Sequence, residues 1–228
     1  MKVSLIAGHG AGDPGAIGTY NGKTYREADE ARTLVKMISS HLQRTTAEIY
    51  VFDMTHNAYK DYCAHTLNFP AKLDFVLEIH FNAVKASNAD NKTKGVECYI
   101  TSSEKNTTTA AALCKAISAF GLTNRGVKQR NFSVISAARN AKASSALLEV
   151  CFIDDPDDWK VYLANQEKIA EAIAKTICTE FNVAWREASS RQIVQEAAGL
   201  TDATMDYLQK YRYGDALLDK LALAITKK

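Results

Sequence analysis

Short apolar runs alternate with longer amphipathic stretches along residues 1–181. Consecutive apolar residues bounded by turn signals predict strands at residues 3–7, 48–52, 75–80, 97–100, 133–135 and 146–152. Between them, "TYREADEARTLVKMISSHLQ" sets Leu34, Val35, Ile38 and Leu42 at helical spacing, and "NTTTAAALCKAISAFG" does the same with Gly121 as its C-cap. "DDWKVYLANQEKIAEAIAKTICTEFN" reads as one long helix or two. The run "DFVLEIHF" is apolar on nearly every position, as an interior strand covered on both faces requires. This order predicts an α/β fold built on a mostly parallel sheet.

From about Trp185 the pattern is helical throughout, with stops at Gly199 and Gly214 and helix starts at Thr201 and Asp215. A boundary near residues 183–187 separates a main domain, 1–183, from a helical segment, 184–228. A segment of about 40 residues is marginal for folding alone, so it is expected to pack on the main domain or on a second copy. Tyr207, Tyr211 and Tyr213 are expected to fill its core against Leu208, Leu217, Leu218 and Leu221.

With 228 residues, 46% of them hydrophobic, the chain can bury a sizeable core, and its net charge of +2 gives no field that favours nucleic acid. No apolar run reaches membrane-spanning length, and Asp13 with its flanking glycines interrupts any signal-peptide core, so synthesis in the cytoplasm without membrane insertion is expected. Five cysteines without CxxC spacing are read as free thiols.

The first strand runs into "GHGAGDPGAIG", where a histidine sits among glycines. Ligands of open parallel sheets bind beyond the carboxyl ends of the strands. That rule collects His9 after the first strand, Glu27 in the first turn of the helix that follows that strand, His80 at the end of the third and Glu149 near the end of the last. Two histidines and a carboxylate form a catalytic zinc set with a fourth position open to water, and the second carboxylate is then free to accept a proton. Three of the four also have a plainer reading. Glu27 closes a capping box with Thr24, His9 belongs to a phosphate-binding glycine turn, and His80 is a satisfied core histidine. Glu149 in "ALLEVCF" resists such a reading, because an unpaired buried carboxylate costs several kcal/mol. Glu78, two positions before His80, keeps other ligand sets open. His41, His56 and His65 read as surface residues.

At these positions the sequence resembles the zinc-dependent N-acetylmuramoyl-L-alanine amidases, from residue 1 to about 180. "AGHGAGDPGA", "YREADEAR", "LEIHFNA", "GVECYI", "NRGVKQRNFSVI" and "ALLEVCFIDDPDD" follow the family's segments in order. The resemblance implies a twisted, mostly parallel six-stranded sheet flanked by helices. It implies zinc on His9, Glu27 and His80, Glu149 as the catalytic glutamate, and cell-wall peptidoglycan as the substrate, cut between muramic acid and L-alanine. Asn82 is read as a contact to substrate or to a ligand imidazole. Ala7 stands where many members carry Asp, Glu78 where a small hydroxyl residue is usual, and Ser145-Ala146 where Pro-Ala is usual. With no signal peptide expected, the chain resembles phage endolysins more than exported autolysins. A zinc peptidase acting within the stem peptide and a non-catalytic wall-binding protein remain the alternatives. The C-terminal helices are expected to attach to the wall or to form a homo-oligomer.

Overall fold

A computed structural model of the chain describes residues 1–84, 94–105 and 107–226. The chain divides into two compact units, Met1–Trp185 and Arg186–Lys228. The first is built on a six-stranded sheet whose strands are β1 (Lys2–Ala7), β4 (Glu48–Val51), β5 (Phe75–Asn82), β6 (Val96–Ile100), β7 (Asn124–Gln129) and β8 (Ser144–Phe152). They lie in the order β4-β1-β5-β8-β6-β7. All neighbours are parallel except β6 and β8. The α/β reading therefore holds, with one antiparallel pair.

Strand parity separates two cores. Val3, Leu5 and Ala7 of β1, Phe75, Leu77, Ile79 and Phe81 of β5, and Ala146, Leu148 and Val150 of β8 join the larger apolar cluster. That cluster is completed by the helices α1 (Glu27–Gln43), α3 (Thr108–Ser118) and α5 (Pro156–Glu180). Ile6 and Val76 point the other way, into a smaller cluster with Ala58 of α2 (Ala58–Cys63) and with Val134 and Ala138 of α4 (Ser133–Asn140). The large face is thickly covered and the small one thinly. That asymmetry leaves room for a cleft at the carboxyl ends of the central strands.

Four sequence expectations change in this unit. Residues 133–135 are not a strand but the start of α4, because Val134, Ile135 and Ala138 recur at helical spacing and are buried together. The sixth strand is β7, "NRGVKQ", a half-buried edge whose sequence carries no apolar alternation. The helix expected from Thr24 starts at Glu27. Thr24 and Tyr25 belong to a hairpin of β2 (Ile17–Tyr20) and β3 (Lys23–Arg26), turned by Asn21 and Gly22, both at positive φ. Arg26 is the N-cap and makes no side-chain cap, so the capping box between Thr24 and Glu27 does not form. His41 is buried against Glu167 at 2.8 Å, because the last turn of α1 faces α5. The long helix α5 is two helices joined at a kink, with Asn165 out of helical geometry.

The second unit holds α6 (Ser190–Ala198), α7 (Asp202–Gln209) and α8 (Gly214–Thr226) around Val194, Met205, Leu218 and Ala222. Gly199 ends α6 in the left-handed conformation, and Thr201 caps α7. The tyrosines do not fill this core. Tyr207, Tyr211 and Tyr213 are 61%, 56% and 67% exposed, and Leu217 and Leu221 are exposed too, since four small and medium residues already close the space between the helices. All five cysteines are free thiols, and only Cys63 is exposed. Among the described residues no helix is long and apolar enough to cross a membrane.

Candidate metal centre

The turn after β1 places His9 at φ +59, and Gly10 and Asp13 close it with paired backbone hydrogen bonds of 2.8 and 3.1 Å. Asp13 then turns back on the ring. Its Oδ2 lies 2.9 Å from His9 Nδ1, while its Oδ1 accepts from the Gly15 amide at 3.0 Å. Asn57, which caps α2 through its side-chain oxygen, donates from Nδ2 to Asp13 Oδ2 and to the Gly10 carbonyl, both at 3.2 Å. His9 is thereby oriented with Nε2 free to face Glu27.

Glu27 is the first residue of α1, and its carboxylate crosses the end of the sheet. Oε2 lies 3.1 Å from His9 Nε2 and accepts from the Ala16 amide at 2.8 Å. Oε1 lies 2.8 Å from His80 Nδ1 and accepts from the Phe81 amide at 3.0 Å. The two imidazoles meet edge to face with centroids 4.9 Å apart. Two glycines make this packing possible. A Cβ at Gly8 would overlap the His80 ring, and one at Gly15 would stand 2.6 Å from Glu27 Oε2.

Glu78 and His80 share the thinly covered face with Val76, and the parallel register sets Glu149 of β8 directly beside His80. His80 Nε2 forms a 3.2 Å ion pair with Glu78 Oε1. Glu149 Oε2 is buried with no hydrogen-bond partner. Across the antiparallel pair, Glu149 faces Glu97, a buried carboxylate held by Arg125 Nε at 2.6 Å, the Tyr99 hydroxyl and Asn82 Nδ2 at 2.8 Å, and Lys128. Both ends of Asn82 are engaged, since its Oδ1 accepts from the Ala83 amide, although the residue still lines the cleft. That cleft encloses about 360 Å³ and is lined by His9, Glu27, His80 and Glu149 together with Tyr59 and Phe132.

The electrostatics follow from this crowding. Burial alone would raise the Glu27 pKa, but the two imidazoles outweigh it and hold the carboxyl well below its usual range. Burial disfavours charge on His9 and His80, yet Glu27 holds both above the ordinary imidazole value, with Glu78 adding to the effect on His80. Glu149 is pushed up to about 7, first by burial, with the attraction of His80 opposing and Glu27, Glu97 and Glu78 adding repulsion. Two carboxylates in one site thus differ in kind: one is fixed as an anion, the other exchanges its proton near neutrality.

One ligand atom from each of His9, Glu27 and His80 lies within 4.8 Å of the others. Two imidazole nitrogens and a carboxylate suit zinc, and each has a partner behind it: Asp13 for His9, backbone amides for Glu27, Glu78 for His80. The residues therefore fit such an ion. His9, Glu27, His80 and Glu149, gathered from the sequence, come together here, while Asn57 and Glu97 did not stand out in the sequence because only long-range contacts bring them in. Asp13 did have a local signal, a carboxylate four residues after a candidate ligand histidine.

Residues 3–179 match the N-acetylmuramoyl-L-alanine amidase family. Among solved structures, the chain is similar to the catalytic domain of CwlV, an N-acetylmuramoyl-L-alanine amidase from Bacillus (Paenibacillus) polymyxa var. colistinus. That likeness has 27% identity and a TM-score of 0.65, covering 81% of this chain and 100% of that one. An N-acetylmuramoyl-L-alanine amidase from Clostridium difficile 630 shares the fold at 22% identity and a TM-score of 0.66, covering 79% and 96%. The catalytic domain of an endolysin targeting Clostridia difficile shares it at 18% and 0.63, covering 78% and 97%. No curated protein sequence matches the chain.

Proposed function

The chain belongs to the N-acetylmuramoyl-L-alanine amidase family, and we propose that it hydrolyses the amide between N-acetylmuramic acid and L-alanine of peptidoglycan, with zinc held by His9, Glu27 and His80. The observation that carries this reading is the convergence of that donor trio beside Glu149, a partly buried carboxylate whose Oε2 is buried without a hydrogen-bond partner. A bound zinc ion supplies Lewis acidity toward the scissile carbonyl and lowers the pKa of water toward about 7. The chain's own residues do the rest. Asp13 and Glu78 hold the two imidazoles in orientation, and the amides of Ala16 and Phe81 fix the Glu27 carboxylate. Glu149 accepts the proton of the attacking water and returns it to the departing alanine amine, a task suited to a carboxyl whose pKa sits at about 7. Tyr59 and Phe132 give the cleft an aromatic rim on which sugar or peptide can rest.

The test is metal analysis of the purified protein together with product identification on isolated cell wall. The expected result is about one zinc per chain, as a single three-ligand site dictates, and a new alanine amino terminus with muramic acid intact. A new amine inside the stem peptide supports the zinc peptidase instead, and binding without release supports a wall-binding protein. Action as a phage endolysin is a further part of the proposal, supported by the shared fold with an endolysin catalytic domain. Lysis from within the cell, only when the membrane is permeabilised, is the expected outcome. The helices of residues 184–228 are assigned to wall attachment or self-association. Wall pull-down and sedimentation of the full chain, each repeated without that segment, tell the two apart.

A further inference from the structure

Arg32 lies on α1, the helix that begins with Glu27, and its guanidinium is spent entirely on main-chain carbonyls. Nε donates to Met54 O at 2.8 Å. Nη1 donates to Gly8 O at 3.1 Å and to Ala28 O at 2.8 Å, and Nη2 to His9 O and to His56 O, both at 2.9 Å. A guanidinium has five N–H groups in a fixed planar fork, so the whole donor inventory is used. Among the described residues no carboxylate forms an ion pair with it. Three segments meet on this one plane: the turn carrying His9, the first turn of α1 and the loop before α2.

The turn is shaped around the guanidinium. His9 occupies the left-handed region at φ +59, which costs a residue with a Cβ about 1 kcal/mol and persists only where neighbours enforce it. Gly10 follows at φ +98, and a Cβ there would overlap the Arg32 guanidinium. Arg32 thus grips the carbonyls of Gly8 and His9 from behind, on the helix that also supplies Glu27. We propose that Arg32 is a positioning residue of the metal centre, locking the backbone of His9 to the helix of Glu27 so that the two donors are arranged before the ion arrives. This inference rests on the zinc reading of His9, Glu27 and His80.

Full-length apoprotein, Arg32→Lys, Arg32→Met and Gly10→Ala are to be titrated with zinc against a chromophoric chelator, with thermal unfolding of each metal-free protein alongside. Lysine keeps the charge but offers three donors from one atom, without the planar fork. Both Arg32 variants are expected to bind zinc about 10- to 100-fold more weakly, the usual loss when an outer partner of a ligand is removed. Cobalt substituted for zinc should show weakened four-coordinate absorption bands, a signature that a purely structural role would not move. Gly10→Ala presses on the same contact from the other side, so combining it with Arg32→Met should add little to the loss of either alone. Folded Arg32 variants with unchanged zinc affinity overturn the inference, even if their melting temperature falls. Should neither fold, unchanged affinity in Gly10→Ala overturns it. A wild-type protein that binds no zinc sinks the metal reading and the inference with it, and that outcome is distinct because it concerns the unaltered chain.

Discussion

Replacing Glu149 by Gln is expected to stabilise the metal-free protein and to stop turnover, both from one cause. Glu149 is partly buried with its Oε2 enclosed and unpartnered, and burial together with Glu27, Glu97 and Glu78 raises its pKa from the usual 4.5 to about 7, net of the attraction of His80. A carboxyl whose pKa is raised by folding binds its proton more tightly in the folded state than in the unfolded one. Its contribution to stability is therefore fully present below pH 4.5 and is lost as pH rises through about 7. At 1.36 kcal/mol per unit, the ionised side chain costs about 3 kcal/mol above that pH. Glutamine has nearly the shape of the protonated acid and escapes this cost.

Urea unfolding in the presence of a chelator should therefore give coincident stabilities for wild type and Glu149→Gln at pH 4. At pH 8 the variant should lead by about 3 kcal/mol, or roughly 6–12 °C in melting temperature for a domain of this size. Turnover on purified cell wall should fall by about 10²- to 10⁴-fold, the usual worth of a general base. Zinc should raise the melting temperature of wild type more than that of the variant, because a nearby cation favours the ionised carboxylate. A variant no more stable than wild type at pH 8 would refute the burial argument. Retained turnover would refute the assignment of Glu149 as the base.

Zinc must displace protons that His9 and His80 hold above the ordinary imidazole value, so its affinity should tighten as pH rises, by up to about tenfold per unit for each proton released; a flat affinity profile in competition titrations between pH 6 and 8 would contradict this. Gly8→Ala should weaken zinc binding and destabilise the fold by about 1–3 kcal/mol, since the new methyl overlaps the His80 ring, and wild-type affinity in that variant would show that the ring has room to move. Glu78→Ser removes one of the carboxylates that hold the Glu149 pKa up, so the acid limb of the kcat/KM profile should shift to lower pH, an effect absent if Glu78 acts only as a spacer. Residues 1–185 contain the whole sheet and its core, so a chain ending there should fold and cleave soluble muramoyl-alanine substrates at close to the full-length rate, whereas insolubility or loss of cleavage would tie catalysis to the C-terminal helices.

The residues of the candidate site were legible because each lies at a strand end or a helix start, and those positions show in apolar periodicity. His9 follows one mostly apolar strand, His80 lies near the end of a second, and Glu149 interrupts a third. What stayed hidden depends on contacts between distant segments. β7 is an edge strand with one neighbour, so half its side chains meet water and its sequence shows no alternation. The Asn21-Gly22 hairpin signal was present but was overridden by the helical spacing that follows it, and the Glu that suited a capping box is drawn instead to two histidines. The tyrosines of the second unit illustrate the reverse error. Their apolar area suggested a core, but three short helices close on Val194, Met205, Leu218 and Ala222 and leave no volume for rings.

Strand parity also accounts for where the chemistry sits. In β5 the odd positions from Phe75 to Phe81 enter the thick core with α1, α3 and α5, so Val76, Glu78 and His80 must face the thin side. In β8 the same rule sends Leu147 and Glu149 there, and the parallel register aligns Glu149 with His80. A slip of one residue in either strand would drive carboxylates into the apolar core at a cost of several kcal/mol each, so the polar residues help to fix the register that assembles them. Because α2 and α4 are short, that face stays open at the carboxyl ends of the strands. The register shift between His80 and Asn82 ends the strict pairing just past the histidine, and there Asn82 turns to Glu97 while the Phe81 amide reaches Glu27. Sheet geometry thus sets His80, Glu149 and Glu97 in place, and the helix that bears Glu27 and Arg32 brings the Glu27 carboxylate to both imidazoles.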